Sequence, residues 1–325
     1  MLLNLMEYHW AEQLDDALLL LSRTDIKTVP LAGGTYLLGH RDDSIQAVVD
    51  LRDLELAYIT EDGRGIHIGA MTTLQTMAES SILQNLAGGI LAQAAQASSF
   101  SRLIRNSATL GGTLGAGIAS QADVLTALAV LDAEVVVRSA SKTQVNLSGG
   151  SLERPGLALS GVTFKGKQER RIPYHALAAD RRPFELMLEV IVPRSDFATG
   201  ASFMRVGRTP TDVALLNVAA LVSVAAGTGR PVTVRLAFGG VNMDVQRMFR
   251  IERQLEGLML PTADEWSKQI RAVVQSGMAD FHPPSDFRAS NDYRRISGTS
   301  MAYRVLEEAT SNALRGGMAS SEGSK

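Results

Sequence analysis

The residues of this chain best placed to do chemistry are two glycine pairs. Ala32-Gly33-Gly34-Thr35 ends the alternating run Ile26-Lys27-Thr28-Val29-Pro30-Leu31, and Thr109-Leu110-Gly111-Gly112-Thr113 follows Ile104-Arg105-Asn106. A Gly-Gly-Thr after a strand lets successive backbone N–H groups turn outward and approach an anion, because no Cβ stands in the way. Either pair alone reads as an ordinary strand-to-helix turn. Both together point to phosphate cradling, and two such loops can hold a diphosphate between them, as in a dinucleotide such as FAD. Thr35 and Thr109 would add hydroxyl donors.

Other charged or glycine-rich positions are weighed against that pair. Asp123 opens an apolar helical run, where a carboxylate is favoured by capping and the helix dipole. Its alternative role is to accept ribose hydroxyls of a nucleotide held by the loop before it. Arg205 and Arg208 read either as solvated arginines or as the cations that neutralise a diphosphate. Gly115-x-Gly117 approaches a dinucleotide-fold fingerprint but lacks the preceding strand and the following acidic strand end, so it is set aside. There is no Gly-Lys-Ser/Thr phosphate loop and no Gly-x-Ser-x-Gly nucleophile turn. The chain has no cysteine, and its five histidines are scattered. Disulfides, thiolate zinc and a cysteine-ligated iron–sulfur cluster are therefore excluded, no metal ligands are assigned, and electron handling would need an organic cofactor or a metal-bearing partner.

The elements that must position these residues follow from periodicity. At 325 residues, 45% hydrophobic and 20% charged, the chain suits two soluble domains. Its net charge of −2 argues against a nucleic-acid or membrane footprint. No signal peptide or span is evident, so a cytoplasmic location is expected. Helical spacing predicts a helix over 12–22. Strands are expected at 47–51 and 65–69, and Thr72 or Thr73 would cap a helix through Met77. A long helix over 82–98 leads to the second glycine pair, and a buried helix over 123–131 precedes a strand at 134–138. The composition loosens from Ser139 to Arg171, which sets a domain boundary in or soon after that stretch. The second half opens with a strand at 184–193, then an Arg-rich turn with Arg205 and Arg208 and an apolar run over 213–226. A strand at 232–238 follows, then helices from about 248, over 262–276, and largely over 288–308. The Gly/Ser-rich tail from Ser311 reads as disordered.

At this point a family resemblance is clear over roughly 11–306. The chain resembles the FAD-binding (medium) subunit of molybdenum hydroxylases, the flavoprotein component of the carbon monoxide dehydrogenase and xanthine dehydrogenase family. The motifs occur in family order: Ala32-Gly33-Gly34-Thr35; Gly69-Ala70-Met71-Thr72-Thr73-Leu74; Ile104-Arg105-Asn106-Ser107-Ala108-Thr109-Leu110-Gly111-Gly112; and Asp123-Val124-Leu125. Phe203-Met204-Arg205-Val206-Gly207-Arg208 with Asp212-Val213-Ala214, Arg235 to Val241, and Arg288-Ala289-Ser290 with Tyr293-Arg294-Arg295 continue it. Departures are Tyr36 in place of the usual acidic residue, Thr113 in place of asparagine, Met204 where some members carry lysine, and a 113–123 stretch without Ser-Pro.

The resemblance implies an α+β fold: a two-part α/β FAD-binding domain of the PCMH type, then a smaller α+β domain with an antiparallel sheet. The division expected is 1–175, subdivided near residue 58, then 176–310, with 311–325 as a disordered tail. FAD would contact Pro30, Leu31, Ala32, Gly33, Gly34, Thr35, Tyr36, Leu37, Thr109, Gly111, Gly112 and Thr113, with Asp123 on the ribose. Arg205 would supply charge, and Val213 would sit near the isoalloxazine. The resemblance also implies partners: a large subunit with the molybdopterin cofactor and a small subunit with two [2Fe–2S] clusters, in a dimer of heterotrimers. Electrons would pass from the clusters to this FAD and on to an external acceptor, with no catalytic acid or base required of this chain. The alternatives are an assembly subunit that has lost FAD and a stand-alone flavin oxidoreductase.

Overall fold

The computed structural model describes residues 2–120, 122–139, 169–194, 198–225, 230–258 and 263–322. The first unit is small. Strand β1 (Glu7–Trp10), helix α1 (Leu14–Leu21), β2 (Thr28–Leu31) and β3 (Ala47–Asp50) make a three-stranded parallel sheet in the order β1-β3-β2. Tyr8 and Val29 flank Val48 in register. β3 is buried along its whole length, as expected of a central parallel strand, and α1 closes one side with Ala17, Leu18 and Leu21.

The second unit begins with β4 (Ile59–Glu61) and β5 (Gly65–Gly69), followed by α2 (Leu74–Glu79) and α3 (Ser81–Asn85). Next come α4 (Ile90–Ala97), α5 (Arg102–Ser107), α6 (Leu110–Ala116) and α7 (Val124–Val130). The single helix expected over 82–98 is broken: Ala87, Gly88 and Gly89 all have left-handed backbone, which the glycine pair tolerates and a continuing α-helix does not. Strands β6 (Glu134–Ser139) and β7 (Glu169–Pro173), helix α8 (Leu177–Asp180) and β8 (Glu185–Pro193) complete an antiparallel sheet ordered β4-β5-β8-β6-β7. β8 is thus hydrogen-bonded between β5 and β6 of this sheet, so a division at residue 175 would separate it from both partners. Most of the loosened 139–171 stretch lies outside the described residues.

The last unit is a four-stranded antiparallel sheet of β9 (Ala198–Val206), β10 (Leu216–Val224), β11 (Pro231–Gly240) and β12 (Met243–Arg247), ordered β12-β11-β10-β9. Arg205 lies in β9, and the turn expected around it begins only after Val206. Helices α9 (Phe249–Leu255), α10 (Ala263–Gly277) and α11 (Asn291–Glu322) follow. All nine residues of β10 are buried, because the sheet is covered on both faces. Leu216, Val218, Ala220 and Val222 belong to the core that α9, α10 and α11 close, while Ala219 and Leu221 belong to that of the second unit, where α7 packs on β10 and α4 on β9. Each fully buried aliphatic side chain in this seam contributes about 1.5–3 kcal/mol relative to exposure.

Of the tail expected to be disordered over 311–325, residues 311–322 are instead the end of α11, and 323–325 lie outside the described residues. Ala313 is fully buried, and Gly200 of β9 leaves room for it: a Cβ there would stand 2.2 Å from the Ala313 nitrogen. A Gly/Ser composition says little once one face of a helix is packed. Ser290 caps α11, its hydroxyl accepting from the Tyr293 N–H at 3.1 Å, which starts the helix slightly later than the sequence pattern does. No helix among the described residues is long and apolar enough to cross a membrane.

Candidate functional site: a glycine-walled cleft

The two glycine pairs meet in space. The 69–74 junction is the bracket that holds them. At its start, the Thr72 hydroxyl donates to the Tyr58 carbonyl at 2.9 Å, and Thr73 caps α2 by accepting from the Thr76 N–H at 3.1 Å. The same segment then grips the second glycine run: Leu74 N–H donates to Ala108, Leu110 N–H to Thr72 and Gly111 N–H to Ala70 carbonyls, at 2.9, 2.9 and 2.7 Å. The first run lies directly against the second. A Cβ on Gly33 would stand 1.5 Å from the Ser107 carbonyl oxygen, and one on Gly112 would reach 3.5 Å from the Ala32 Cβ. Only a residue without a side chain fits at Gly33.

Between them is a cleft of about 230 Å³. Pro30, Ala32, Gly33, Gly34, Thr35, Tyr36 and Leu37 line one side, and Thr109, Gly111 and Gly112 the other, with Leu51, Met71, Leu186 and Met187 as the apolar floor. Gly34 has left-handed backbone (φ +70°), which turns the chain over the cleft. None of the backbone N–H groups from Gly33 to Leu37 donates to an acceptor among the described residues. A run of successive free N–H donors at a cleft wall is an anion-binding concavity.

The second run differs from expectation. Gly111 and Gly112 are the first turn of α6, with Thr109 as its N-cap, and not an open loop. Leu110 and Gly111 donate to carbonyls of the 69–74 junction, Gly112 donates to the Thr109 hydroxyl at 3.1 Å, and Thr113 to the Thr109 carbonyl at 2.9 Å. The N–H groups of 110–113 are therefore all engaged within the chain. The physical reason is twofold: the Ala70 and Thr72 carbonyls take the first two donors of the helix, and Thr109 takes the next two with its hydroxyl and its carbonyl.

Of the remaining sequence candidates, Leu31 and Thr113 stand beside the cleft without lining it. Asp123, Arg205 and Val213 do not line it either. Val213 packs against Leu215, Val241 and Ala289 at one end of the C-terminal sheet. Arg205 holds the loop after it, donating to the carbonyls of Pro210 (3.3 Å) and Asp212, and its Nε lies 2.9 Å from Asp123 Oδ2. Asp123 also accepts from Asn217 Nδ2 and is 1% exposed. Burial pushes its carboxyl up to about 6, with the Arg205 guanidinium and the Asn217 amide pulling the other way. Arg208 donates to the Phe287 carbonyl at 3.2 Å.

Arg181, just after α8, is the one cation among the residues lining the cleft, and it has no carboxylate partner among the described residues. Sequence reasoning missed it because the stretch 146–182 carried no motif. Its neighbour Glu185 is neutralised elsewhere, by a two-pronged contact from Arg170 at 2.7 and 2.8 Å.

Comparison with known proteins adds the family context. The family model for the FAD binding domain in molybdopterin dehydrogenase matches residues 4–155, and that for the CO dehydrogenase flavoprotein C-terminal domain matches 201–309. The chain is 28% identical over 312 residues to the xanthine dehydrogenase FAD-binding subunit of Escherichia coli O157:H7, covering 94% of this chain and 96% of the relative. It is 30% identical over 189 residues to the nicotinate dehydrogenase FAD-subunit of Eubacterium barkeri, covering 57% of this chain and 56% of that one. In fold it matches a chain of the carbon monoxide dehydrogenase from Hydrogenophaga pseudoflava, with a TM-score of 0.76 at 23% identity over 95% of this chain and 98% of the other. A chain of quinoline 2-oxidoreductase from Pseudomonas putida 86 gives a TM-score of 0.74 at 21% identity, over 95% of this chain and 98% of that one.

Proposed function

This chain belongs to the family of FAD-binding subunits of molybdenum hydroxylases, and from that premise we propose that it holds FAD noncovalently in the glycine-walled cleft and serves as the electron-exit module of such a complex. The partners proposed are a molybdenum-bearing large subunit and a small [2Fe–2S] subunit. The absence of cysteine supports that division of labour, since the clusters need thiolates from another chain.

The observation that carries the reading is the unengaged N–H run from Gly33 to Leu37 beside the left-handed Gly34. It suits an anionic diphosphate, and the Gly33 position, where a Cβ would collide with Ser107, keeps that wall in place. Arg181 is positioned to add the cation that backbone dipoles alone do not provide. Leu51, Met71, Leu186 and Met187 exclude water from the cleft floor. Bound FAD supplies the capacity to take up electrons one at a time and release them singly or in pairs. The residues described here bind and orient; none needs to move a proton.

The test is the visible spectrum of the purified chain, followed by titration with FAD. A flavin spectrum, restored after removal by added FAD, is expected. No flavin absorbance, unchanged by added FAD, would overturn the reading. Arg181→Gln should weaken FAD binding about tenfold, the effect of losing one charged hydrogen bond.

A second reading, an assembly subunit without flavin, draws on the engaged N–H groups of 110–113 and on the mutual pairing of Asp123 and Arg205. Under it Gly34→Asp leaves the activity of the complex intact. Under the first reading it removes electron transfer while the complex still assembles.

A further inference from the structure

Helix α7 crosses the seam between the second unit and the C-terminal sheet, and its two ends are held by charge. In the sheet, Asn217 of β10 pairs with Arg205 of β9 on one side and Gly239 of β11 on the other, so the three form one row on the face towards α7. Asp123 and Thr126 lie on that row. Thr126 donates to Asn217 Oδ1 at 2.6 Å, and Asn217 Nδ2 donates to Asp123. Gly239 makes the fit possible, since a Cβ there would stand 2.2 Å from the Thr126 hydroxyl. Arg205 completes the row, facing the Asp123 carboxylate with Nε and the carbonyls of Pro210 and Asp212 with its two Nη groups.

We propose that Asp123 and Arg205 are positioning residues: the buried carboxylate of the α7 N-terminus fixes the β9 guanidinium, and that guanidinium fixes the 207–213 loop carrying Val213. The planar guanidinium fork suits this task, because one group can satisfy a carboxylate and two carbonyls held in fixed directions. A pair with one buried partner is a poor source of stability, because desolvation offsets the attraction, and its role here is to fix register. Asp123 Oδ2 and Arg205 Nε face each other at 2.9 Å without an aligned hydrogen bond, so the attraction between them is one of charge. The other end of α7 contrasts with this. Asp132 there binds Arg235 and Arg247 at 2.7 Å each, but it is 42% exposed, and both of its partners lie in strands of the sheet.

The latch depends on pH. The groups facing Asp123 are Arg205 from β9, Asn217 from β10 and Thr126 on its own helix, with Ser98 accepting from the neighbouring Val124 N–H at the end of α4. Arg205 is the one charged group among them. With its carboxyl raised to about 6, Asp123 is ionised at pH 7 and largely protonated at pH 5, where Arg205 loses its counter-charge. The latch is independent of the functional reading above.

The experiment is amide hydrogen exchange on the full chain without FAD, corrected for intrinsic rates and read at Asp212 and Leu215, whose N–H groups donate to Thr209 and Val206. Asp123→Asn and Arg205→Gln should each speed exchange there at least tenfold at pH 7, with no further gain in the double variant and partial restoration in Arg205→Lys. Wild type should approach Asp123→Asn on lowering the pH to 5, while Asp123→Asn shows no such step. Amides of α10 serve as the fold control. Wild-type protection in Asp123→Asn at pH 7, or additive effects of the two substitutions, would overturn the proposal. A parallel FAD titration separates the two ideas: failure of wild type to bind flavin sinks the functional reading and leaves the exchange result standing.

Discussion

Gly33-Gly34 and Gly111-Gly112 are the same dipeptide on two walls of one cleft, and they are glycine for different reasons. At the first pair, one glycine admits the Ser107 carbonyl and the other takes a left-handed turn, and the N–H groups that follow have no acceptor among the described residues. At the second pair every N–H is engaged, and a Cβ on Gly111 would meet the Ala70 Cβ at 2.8 Å and the Ala70 carbonyl at 2.9 Å. The first pair is built to donate outward and the second to pack tightly. A glycine pair marks close approach in both cases; what approaches it, ligand or backbone, is decided by where the neighbouring donors go.

The comparison breaks most completely at the point where the two runs touch. Gly33→Ala places a methyl 1.5 Å from a backbone carbonyl, and neither backbone can swing aside as a side chain would. The expected cost is on the order of 3 kcal/mol, at the upper end for overpacking, with loss of FAD binding because both walls shift. Denaturant unfolding together with FAD titration checks it. A variant of wild-type stability would mean that the walls are not interlocked.

A pair of substitutions at Gly34 separates charge from packing. A Cβ there would meet the Leu38 side chain at 2.9 Å, a cost that both variants share. Asn and Asp are nearly isosteric, and Asn tolerates left-handed backbone well, so Gly34→Asn and Gly34→Asp differ mainly in charge. A carboxylate about 4 Å from a diphosphate, at an effective dielectric near 20, opposes binding by roughly 4 kcal/mol per charge. Gly34→Asp should therefore bind FAD at least about a hundredfold more weakly than Gly34→Asn, with the two variants equal in thermal stability. Equal affinities would remove the phosphate from this wall.

Much of this arrangement is legible before folding. Gly33-Gly34-Thr35, the Gly69–Leu74 junction and the Thr73 cap sit in local patterns whose geometry depends on a few adjacent residues. What escapes the sequence is non-local. β8 reads as the start of a new unit, yet its partners are β5 and β6, and nothing in its apolar run names them. Asp123 reads as a helix cap or a ribose ligand, and Arg205 as a solvated or a ligand-facing charge, until the register of β9 on β10 and the seat of α7 bring them together. Arg181 has no motif around it and reaches the cleft because α8 ends there. The engaged state of Gly111 and Gly112 is hidden for the same reason: Ala70 and Thr72, the acceptors, lie in the 69–74 junction.

Thr109 gives the smallest and most discriminating effect. Its hydroxyl caps α6 by accepting from Gly112, and Thr109 is 4% exposed. Thr109→Val keeps the shape and removes the acceptor, which should lower stability by about 1 kcal/mol, the usual value of such a cap. If the second wall works by packing, FAD affinity should change less than about threefold, because no donor to the ligand is lost. If the Thr109 hydroxyl instead binds phosphate directly, affinity should fall about tenfold while stability falls no further. Paired measurements of unfolding and FAD affinity on this one variant thus decide whether the second glycine pair is a wall or a hand.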